Sequence, residues 1–292
     1  MSNNKSALIL MAMSMTLLAA GDAVIRVMGE AMTVGQIIAI RGIAVIILIA
    51  GLMAWQKIGF DRASIFNRWS VLRGCAEMVS TYCFFLSLQL IPIATSTTVV
   101  FIFPVLLTLV SIPLYGEKVG VFRWIAVLMG FAGVILVAAP DGGDFNIALA
   151  LPFTTALALV ARDLITRKIA DDIKAPQVTM TTAIVTTFFG LLTFPFGWGA
   201  MGAFEWALVP LSALLVALSF TLYISAIRKG ELSIIAPAQY LVILWATFWG
   251  ALIWQEWPGQ NAVVGGSLII AAGCLIIWRE RVAQQRQAPE QA

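Results

Sequence analysis

Ala19-Ala-Gly21-Asp22-Ala-Val-Ile-Arg26 closes the first apolar stretch of this chain, and its pattern returns as Ala161-Arg162-Asp163-Leu-Ile-Thr-Arg167. Each segment sets an acid four residues before an arginine, at the end of about 20 apolar residues, the length that crosses a bilayer. Tyr115-Gly116-Glu117 returns likewise as Trp254-Gln255-Glu256, and Gly133 returns as Gly273. The spacings are 141, 139 and 140 residues, so the chain contains itself twice. One copy holds five apolar stretches. Five is odd, so the second copy is expected to enter the membrane upside down relative to the first.

Composition agrees. Of 292 residues 61% are hydrophobic and 11% charged, with a mean hydropathy of +0.95, against about 45–50% and about 25% for globular domains. No soluble fold of this size could cover so much apolar side chain, whereas helices spanning a bilayer close their backbone hydrogen bonds internally. A net charge of +3, scattered along the chain, argues against nucleic acid. There is no histidine, and Cys75, Cys83 and Cys274 lie apart in apolar stretches, so a metal site is not expected.

The expected fold is an all-α integral membrane protein of ten transmembrane helices in two inverted five-helix repeats. The spans fall near 6–27, 33–55, 70–91, 94–115, 121–140, 146–168, 177–197, 207–228, 233–254 and 260–278. Residues 1–140 form the first repeat, 146–278 the second, and 279–292 a cytoplasmic tail. Short connections lead us to expect sequential helices as antiparallel neighbours. With the N-terminus inside, every lysine and arginine except Arg26 and Arg41 falls on the cytoplasmic side, which places both termini there. Lys5 followed by an apolar run resembles a secretory leader, but its twin at 146–168 is internal, so a retained span is expected. Trp55, Trp69, Trp198, Trp206, Trp257 and Trp278 fall at span ends, where indoles anchor in the interface.

Ionisable residues inside spans are functional candidates, because unpaired they cost roughly 2.5–3.5 kcal/mol on insertion scales. Asp22 and Arg41 lie at similar depths. They read either as an ion pair tying two helices together, or as an outer gate or a site for a zwitterion's ammonium and carboxylate. Glu77 is expected to pair with Arg73 or to serve in proton coupling. Asp22 and Asp163 have arginines close by, which leaves Glu77 as the coupling candidate and favours facilitated transport. Tyr82, Thr97, Thr98, Gln239, Tyr240 and Trp245 are the candidate substrate-binding residues. Their hydroxyls, amide and aromatic faces suit an amino-acid-sized ligand, although threonines and the proline kinks at Pro104 and Pro237 are also ordinary in packed membrane helices. Glu117 and Glu256 are expected to cap the helices that follow them.

Pro92-Ile93-Ala94, a helix holding Pro104, Tyr-Gly-Glu-Lys-Val at 115–119, Arg123-Trp124 and Met-Gly-Phe-Ala-Gly-Val-Ile-Leu at 129–136 together resemble the EamA type of the drug/metabolite transporter superfamily. The resemblance covers almost the whole chain; in the second copy Gln255 replaces Gly116. It implies ten helices in inverted halves, cytoplasmic termini and no cofactor. Among bacterial members the chain looks most like exporters of aromatic amino acids and related metabolites. Other members carry nucleotide sugars, phosphorylated sugars or S-adenosylmethionine. A secondary transporter exporting amino acids from a bacterial inner membrane is therefore expected, with uptake or exchange of S-adenosylmethionine or a nucleotide sugar as the alternative. Its partners would be a small-molecule substrate and the lipid bilayer, and nothing demands more than a monomer. An enzyme is disfavoured, since no phosphate-binding glycine loop or catalytic cluster occurs; a channel would need a ring of like residues.

Overall fold

The structure is a computed structural model that describes residues 2–103, 105–107, 109–110, 121–138, 146–166, 168–170, 173–229 and 236–287. Among these residues the chain forms helices and no strand: α1 (Ser2–Met28), α2 (Val34–Trp55), α3 (Arg68–Leu90), α4 (Ile93–Val100), α5 (Val121–Ala138), α6 (Ala150–Thr166), α7 (Ala175–Leu191), α8 (Ala203–Lys229), α9 (Leu241–Trp254) and α10 (Gln260–Gln287). A single turn at Arg62–Ile65 precedes α3, and 3-10 turns at Ile147–Leu149 and Ala236–Tyr240 lead into α6 and α9. Among the described residues six helices are long and apolar enough to cross a bilayer, namely α1, α2, α3, α6, α7 and α8; elsewhere the apolar stretches, such as Trp124–Val137, Ala238–Trp254 and Gln260–Leu275, are shorter. Pro104, Glu117, Arg167 and the segment 139–145 lie outside the described residues.

Helix starts follow their side chains. Thr33 accepts from the Gln36 amide, and Asn67 accepts from the Trp69 amide at 2.9 Å. The Lys174 amide donates to the Gln177 side chain at 3.0 Å, with Pro176 in the first turn of α7. The outward faces are apolar: Ile47, Leu128, Leu244 and Leu252 are 61–67% exposed. Such side chains in water would be a liability; in acyl chains they are at home. Trp55, Trp206 and Trp257 stand exposed near helix ends.

The helices pack mainly on partners other than their sequence neighbours, with which they share only small contacts. The expectation of antiparallel sequential pairs is corrected: α1 packs on α8 and α9, α2 on α7 and α8, α3 on α6 and α7, and α4 on α9 and α6. Followed round, these contacts close into a ring, α1–α8–α2–α7–α3–α6–α4–α9, in which each helix lies between two from the other half of the chain. The pair α5–α10 packs on itself and touches the ring at α4. Exchanging α1–α5 with α6–α10 leaves this pairing scheme unchanged. Short connections tie only helix ends, so each half splays and its small-residue faces are buried against the other half.

Matching contacts recur at matching places. The Ser14 hydroxyl donates to the Ser219 carbonyl at 2.8 Å, and Ser219 returns a bond to the Ser14 carbonyl at 2.9 Å, joining α1 to α8. At the equivalent α6–α3 crossing, Thr155 donates to the Ser80 carbonyl at 3.2 Å. Such hydroxyl-to-backbone bonds bind helices where apolar burial discriminates little. Ser14–Ser219 and Gly21–Leu215 make α1 and α8 antiparallel, and Gly35–Thr193 and Gly42–Thr187 do so for α2 and α7. Ile93–Gly250 and Phe101–Tyr240 make α4 and α9 antiparallel, as Gly133–Ile269 and Val137–Gly265 do for α5 and α10.

Candidate functional site

Three polar clusters line up along the ring. The first lies nearly two helical turns inside the C-terminal end of α1. Asp22 is about 9 Å below Met28, and Arg41 about 10 Å into α2 from Val34, at about 1.5 Å per residue. Both are half-buried, and each acts on the other electrostatically. The ion pair expected from their matching depth is not closed, because α1 and α2 are splayed apart. No hydrogen bond or contact ion pair reaches the Asp22 carboxylate from the described residues. The Arg41 guanidinium lies 5.5 Å over the Phe85 ring of α3, and its Nε is sealed from solvent with no partner. A buried donor left unmade costs about 1–3 kcal/mol, a cost at the Arg41 Nε that no hydrogen bond from the described residues offsets.

The second cluster closes the end above this site. Arg26, one turn after Asp22, donates from Nη1 and Nη2 to the two Glu256 oxygens at 2.5 and 2.6 Å. Its guanidinium also stacks 4.2 Å over the Trp254 ring, and Trp254 Nε1 donates to Glu30 at 2.8 Å. This fork-to-fork geometry is the strong form of an ion pair, and it joins the C-terminal ends of α1 and α9. Glu256 is therefore not the helix cap expected from sequence: its carboxylate is committed to Arg26. Gln255 before it adopts φ +58°, a left-handed conformation for which glycine is the usual residue. In the first copy of the repeat that position is Gly116.

The third cluster is at the opposite end. Arg162 of α6 donates to Glu77 of α3 at 3.1 Å and to its neighbour Asp163 at 2.8 Å. Arg73 donates to Thr166 at 3.0 Å and Thr182 at 2.6 Å, linking α3 to α6 and α7. The expected Glu77–Arg73 contact is thus replaced by Glu77–Arg162. Sequence proximity suggested Arg73, but the α3–α6 crossing places Arg162 nearer. Tyr223 of α8 lies within electrostatic reach of Arg162 and Asp163, and Gln239 donates to its hydroxyl at 3.5 Å.

Of the expected binding residues, Tyr240 and Trp245 share one apolar cluster with Phe101 and Tyr223, and Gln239 bonds to Tyr223, while Tyr82 lies apart. Trp245 is half-buried and packs edge-on to Phe248 at 5.6 Å. Tyr240 is buried against Phe101 at 5.3 Å, its hydroxyl beside Gly273 and without a partner. Thr98 spends its hydroxyl on the Ala94 carbonyl at 2.7 Å, while that of Thr97 is buried and unpaired. Tyr82 is exposed and shares a flank of α3 with Leu72 and Val79, both exposed, away from Glu77. Sequence reading missed Phe85 beneath Arg41, Arg162 as the partner of Glu77, and the Arg26–Glu256 pair. That last pair was within reach, for the two residues end the repeated motifs and are both expected from the sequence on the same side of the membrane.

A helical ring that buries charge in its interior and apolar side chains on its rim is a multi-pass membrane protein. A sequence profile of the EamA-like transporter family matches residues 5–139 and, separately, 146–278. The chain belongs to this family, within the drug/metabolite transporter superfamily, and is a transporter. It is 24% identical over 219 residues to an S-adenosylmethionine uptake transporter of Rickettsia bellii, covering 74% of this chain and 75% of that one. It is 26% identical to a riboflavin transporter of Vibrio cholerae, over 59% of this chain and 58% of the other. It is 19% identical to the pseudopaline exporter CntI of Pseudomonas aeruginosa, over 89% and 91%. One crystal structure shares the fold, with a TM-score of 0.58 at 18% identity, over 96% of this chain and 97% of that one.

Proposed function

We propose that this protein carries metabolites bearing an α-amino-acid group across a bacterial inner membrane by alternating access. The observation that carries this reading is Arg41 and Asp22, which act on each other electrostatically without a contact ion pair and have no hydrogen-bond partner among the described residues. A carboxylate would satisfy the guanidinium fork and an ammonium the aspartate. Phe85 below Arg41, and the aromatic group Trp245, Phe248 and Trp249, offer flat apolar surface for the rest of the molecule. S-adenosylmethionine combines ammonium, carboxylate, sulfonium and a flat base, and is the leading substrate given its uptake by the Rickettsia relatives. Aromatic amino acids, whose export the sequence suggests, meet the same demands and form the second reading. Riboflavin has neither charge and is expected to be poorly carried.

The architecture proposed for this cycle is two inverted five-helix repeats, residues 1–140 and 146–278, with both termini and the tail 279–292 cytoplasmic. Antiparallel pairing of counterpart helices, the hydroxyl bonds at equivalent crossings and the lysine–arginine asymmetry support it. In this reading the Arg26–Glu256 clamp closes the outer end and the Glu77–Arg162 cluster lies at the inner end. Thr97, Gln239 and Trp245 remain candidate contacts further from the charged pair.

The test is counterflow in proteoliposomes preloaded with unlabelled substrate. Labelled S-adenosylmethionine and phenylalanine should exchange well above protein-free liposomes, and riboflavin should not. Exchange of riboflavin alone would place the substrate class elsewhere.

A further inference from the structure

The indole of Trp69 gathers two positive charges from the two halves of the chain. The Arg68 guanidinium lies 4.9 Å from its centroid and the Lys168 ammonium 4.8 Å. Arg68 and Trp69 open α3, and Lys168 follows the end of α6 by two residues. An aromatic ring attracts a cation, but two cations drawn to one ring also repel each other, and a carboxylate between them would relieve that. Among the described residues none does: neither side chain has a hydrogen bond or an ion pair. Asp61, the acid of the connection before α3, spends its carboxylate on the Ser64 hydroxyl at 2.6 Å and on the Ser64 and Ala63 amides. Glu77 of α3 and Asp163 of α6 are held by Arg162. The two charges stand within about 10 Å of each other, and with charge-assisted bonds of about 2.7–2.9 Å on either side one phosphate spans that gap.

Depth and surroundings say which anion. Arg68 and Lys168 stand at the ends of helices long enough to cross a bilayer, so they lie at the level of lipid headgroups in either orientation of the chain. The turn before α3 is fixed there: Ile65 is buried, its carbonyl accepts from Thr181 of α7, and Gln177 of α7 donates to the Gly59 carbonyl at 3.3 Å. Phe60 and Phe66 flank this turn, 61% and 53% exposed, and Arg62 within it is exposed too. Aromatic rings beside bare cations at this depth match a lipid, whose glycerol and acyl part takes the rings and whose phosphate takes the charges. We infer that Arg68, Trp69 and Lys168 form a binding site for the phosphodiester of an anionic glycerophospholipid such as phosphatidylglycerol. A zwitterionic headgroup brings an ammonium of its own to two cations and is the poorer ligand. A phosphate held by both residues bridges α3 to the end of α6, where Arg73 already bonds Thr166 and Thr182. It thereby ties the two halves of the chain at that end, whatever the protein transports.

The experiment titrates the full chain, in detergent at low salt, with an equimolar mixture of phosphatidylglycerol and phosphatidylcholine of matched acyl chains. Bound lipids are counted by native mass spectrometry. Each basic residue facing an anionic lipid contributes about fivefold, so the wild type should hold its first phosphatidylglycerol roughly 30-fold more tightly than phosphatidylcholine. Arg68→Gln with Lys168→Gln should remove that preference. Lys5→Gln with Lys174→Gln, both exposed, takes the same charge from elsewhere and should keep it. Trp69→Leu leaves both cations without the ring that collects them and should lower the preference severalfold. Phosphatidylglycerol should also raise the unfolding temperature of the wild type and leave that of the Arg68→Gln, Lys168→Gln protein unchanged, a comparison that also shows the variant to be folded. A preference that survives in that variant, or is lost equally in the Lys5→Gln, Lys174→Gln control, overturns the site. Release of the bound lipid by millimolar inorganic phosphate overturns the lipid as its occupant, and a wild type that takes both lipids alike overturns the proposal outright.

Discussion

Removing Arg26 should open the ring at the end it clamps. Its guanidinium makes two charge-assisted bonds to Glu256 with side-chain exposures of 12% and 29%, and it stacks on Trp254 at 4.2 Å. Breaking a fully buried pair costs about 3–5 kcal/mol, and a cation–π contact adds about 0.5–2 kcal/mol. Partial exposure and water entering the open end reduce the loss to about 2 kcal/mol, which is roughly a 30-fold shift in population. The reporter is Ala246→Cys on α9, buried in the apolar cluster with Trp254 around it and about 12 Å below that tryptophan. Cys75, Cys83 and Cys274 are free thiols and are replaced by serine in the background. A membrane-impermeant maleimide added outside should label this cysteine roughly 30-fold faster in Arg26→Ala at low modification. Glu256→Gln keeps the stacking and should fall between. The exchange Arg26→Glu with Glu256→Arg should recover slow labelling. Equal rates in all four proteins, with equal labelling after denaturation, would refute the clamp.

Three further outcomes follow from the same geometry. A Cβ at Gly265 would lie 2.5 Å from the Gly133 carbonyl, and one at Gly133 would lie 2.6 Å from the Gly265 carbonyl, so Gly265→Ala should destabilise the α5–α10 pair by about 1–3 kcal/mol; thermal unfolding followed by size-exclusion should show it, with substrate affinity of the folded fraction unchanged. Cysteines at Ala31 and Ala170, both exposed and close to one repeat apart, should label from opposite sides of the membrane, and labelling from one side would remove the inversion. Glu77→Gln leaves Arg162 with Asp163 and should lower the unfolding temperature by a few degrees while transport continues.

How much of this was legible in the sequence depends on the kind of signal. The duplication was, because acid–arginine and Glu turn motifs stand at fixed offsets that no packing detail can blur. The family and the existence of apolar helices followed from the same residues. Helix neighbours were not: loop length limits only where ends lie, and the ring is decided by where Ser14 meets Ser219 and Thr155 meets the Ser80 carbonyl. The same ignorance misassigned ion pairs. Arg73 is one turn from Glu77 in the chain, yet the α3–α6 crossing delivers Arg162 to it, and Glu256 finds Arg26 across 230 residues. Asp22 and Arg41 stood out in the sequence as charges inside spans. That no contact ion pair joins them among the described residues depended on the splay of α1 from α2, which no local pattern encodes.

The paired charges also make the sharpest test of the whole account. If Arg41 holds a substrate carboxylate, purified protein should bind S-adenosylmethionine more tightly than its decarboxylated counterpart, by about 2–3 kcal/mol for a desolvated charge pair, or roughly 30- to 150-fold. Arg41→Gln should erase that preference by weakening the carboxylated ligand alone, whereas Asp22→Asn should weaken both, since both keep their cationic group. A preference that survives intact in Arg41→Gln, or its absence in the wild type, would contradict the central claim that this pair reads an α-amino acid.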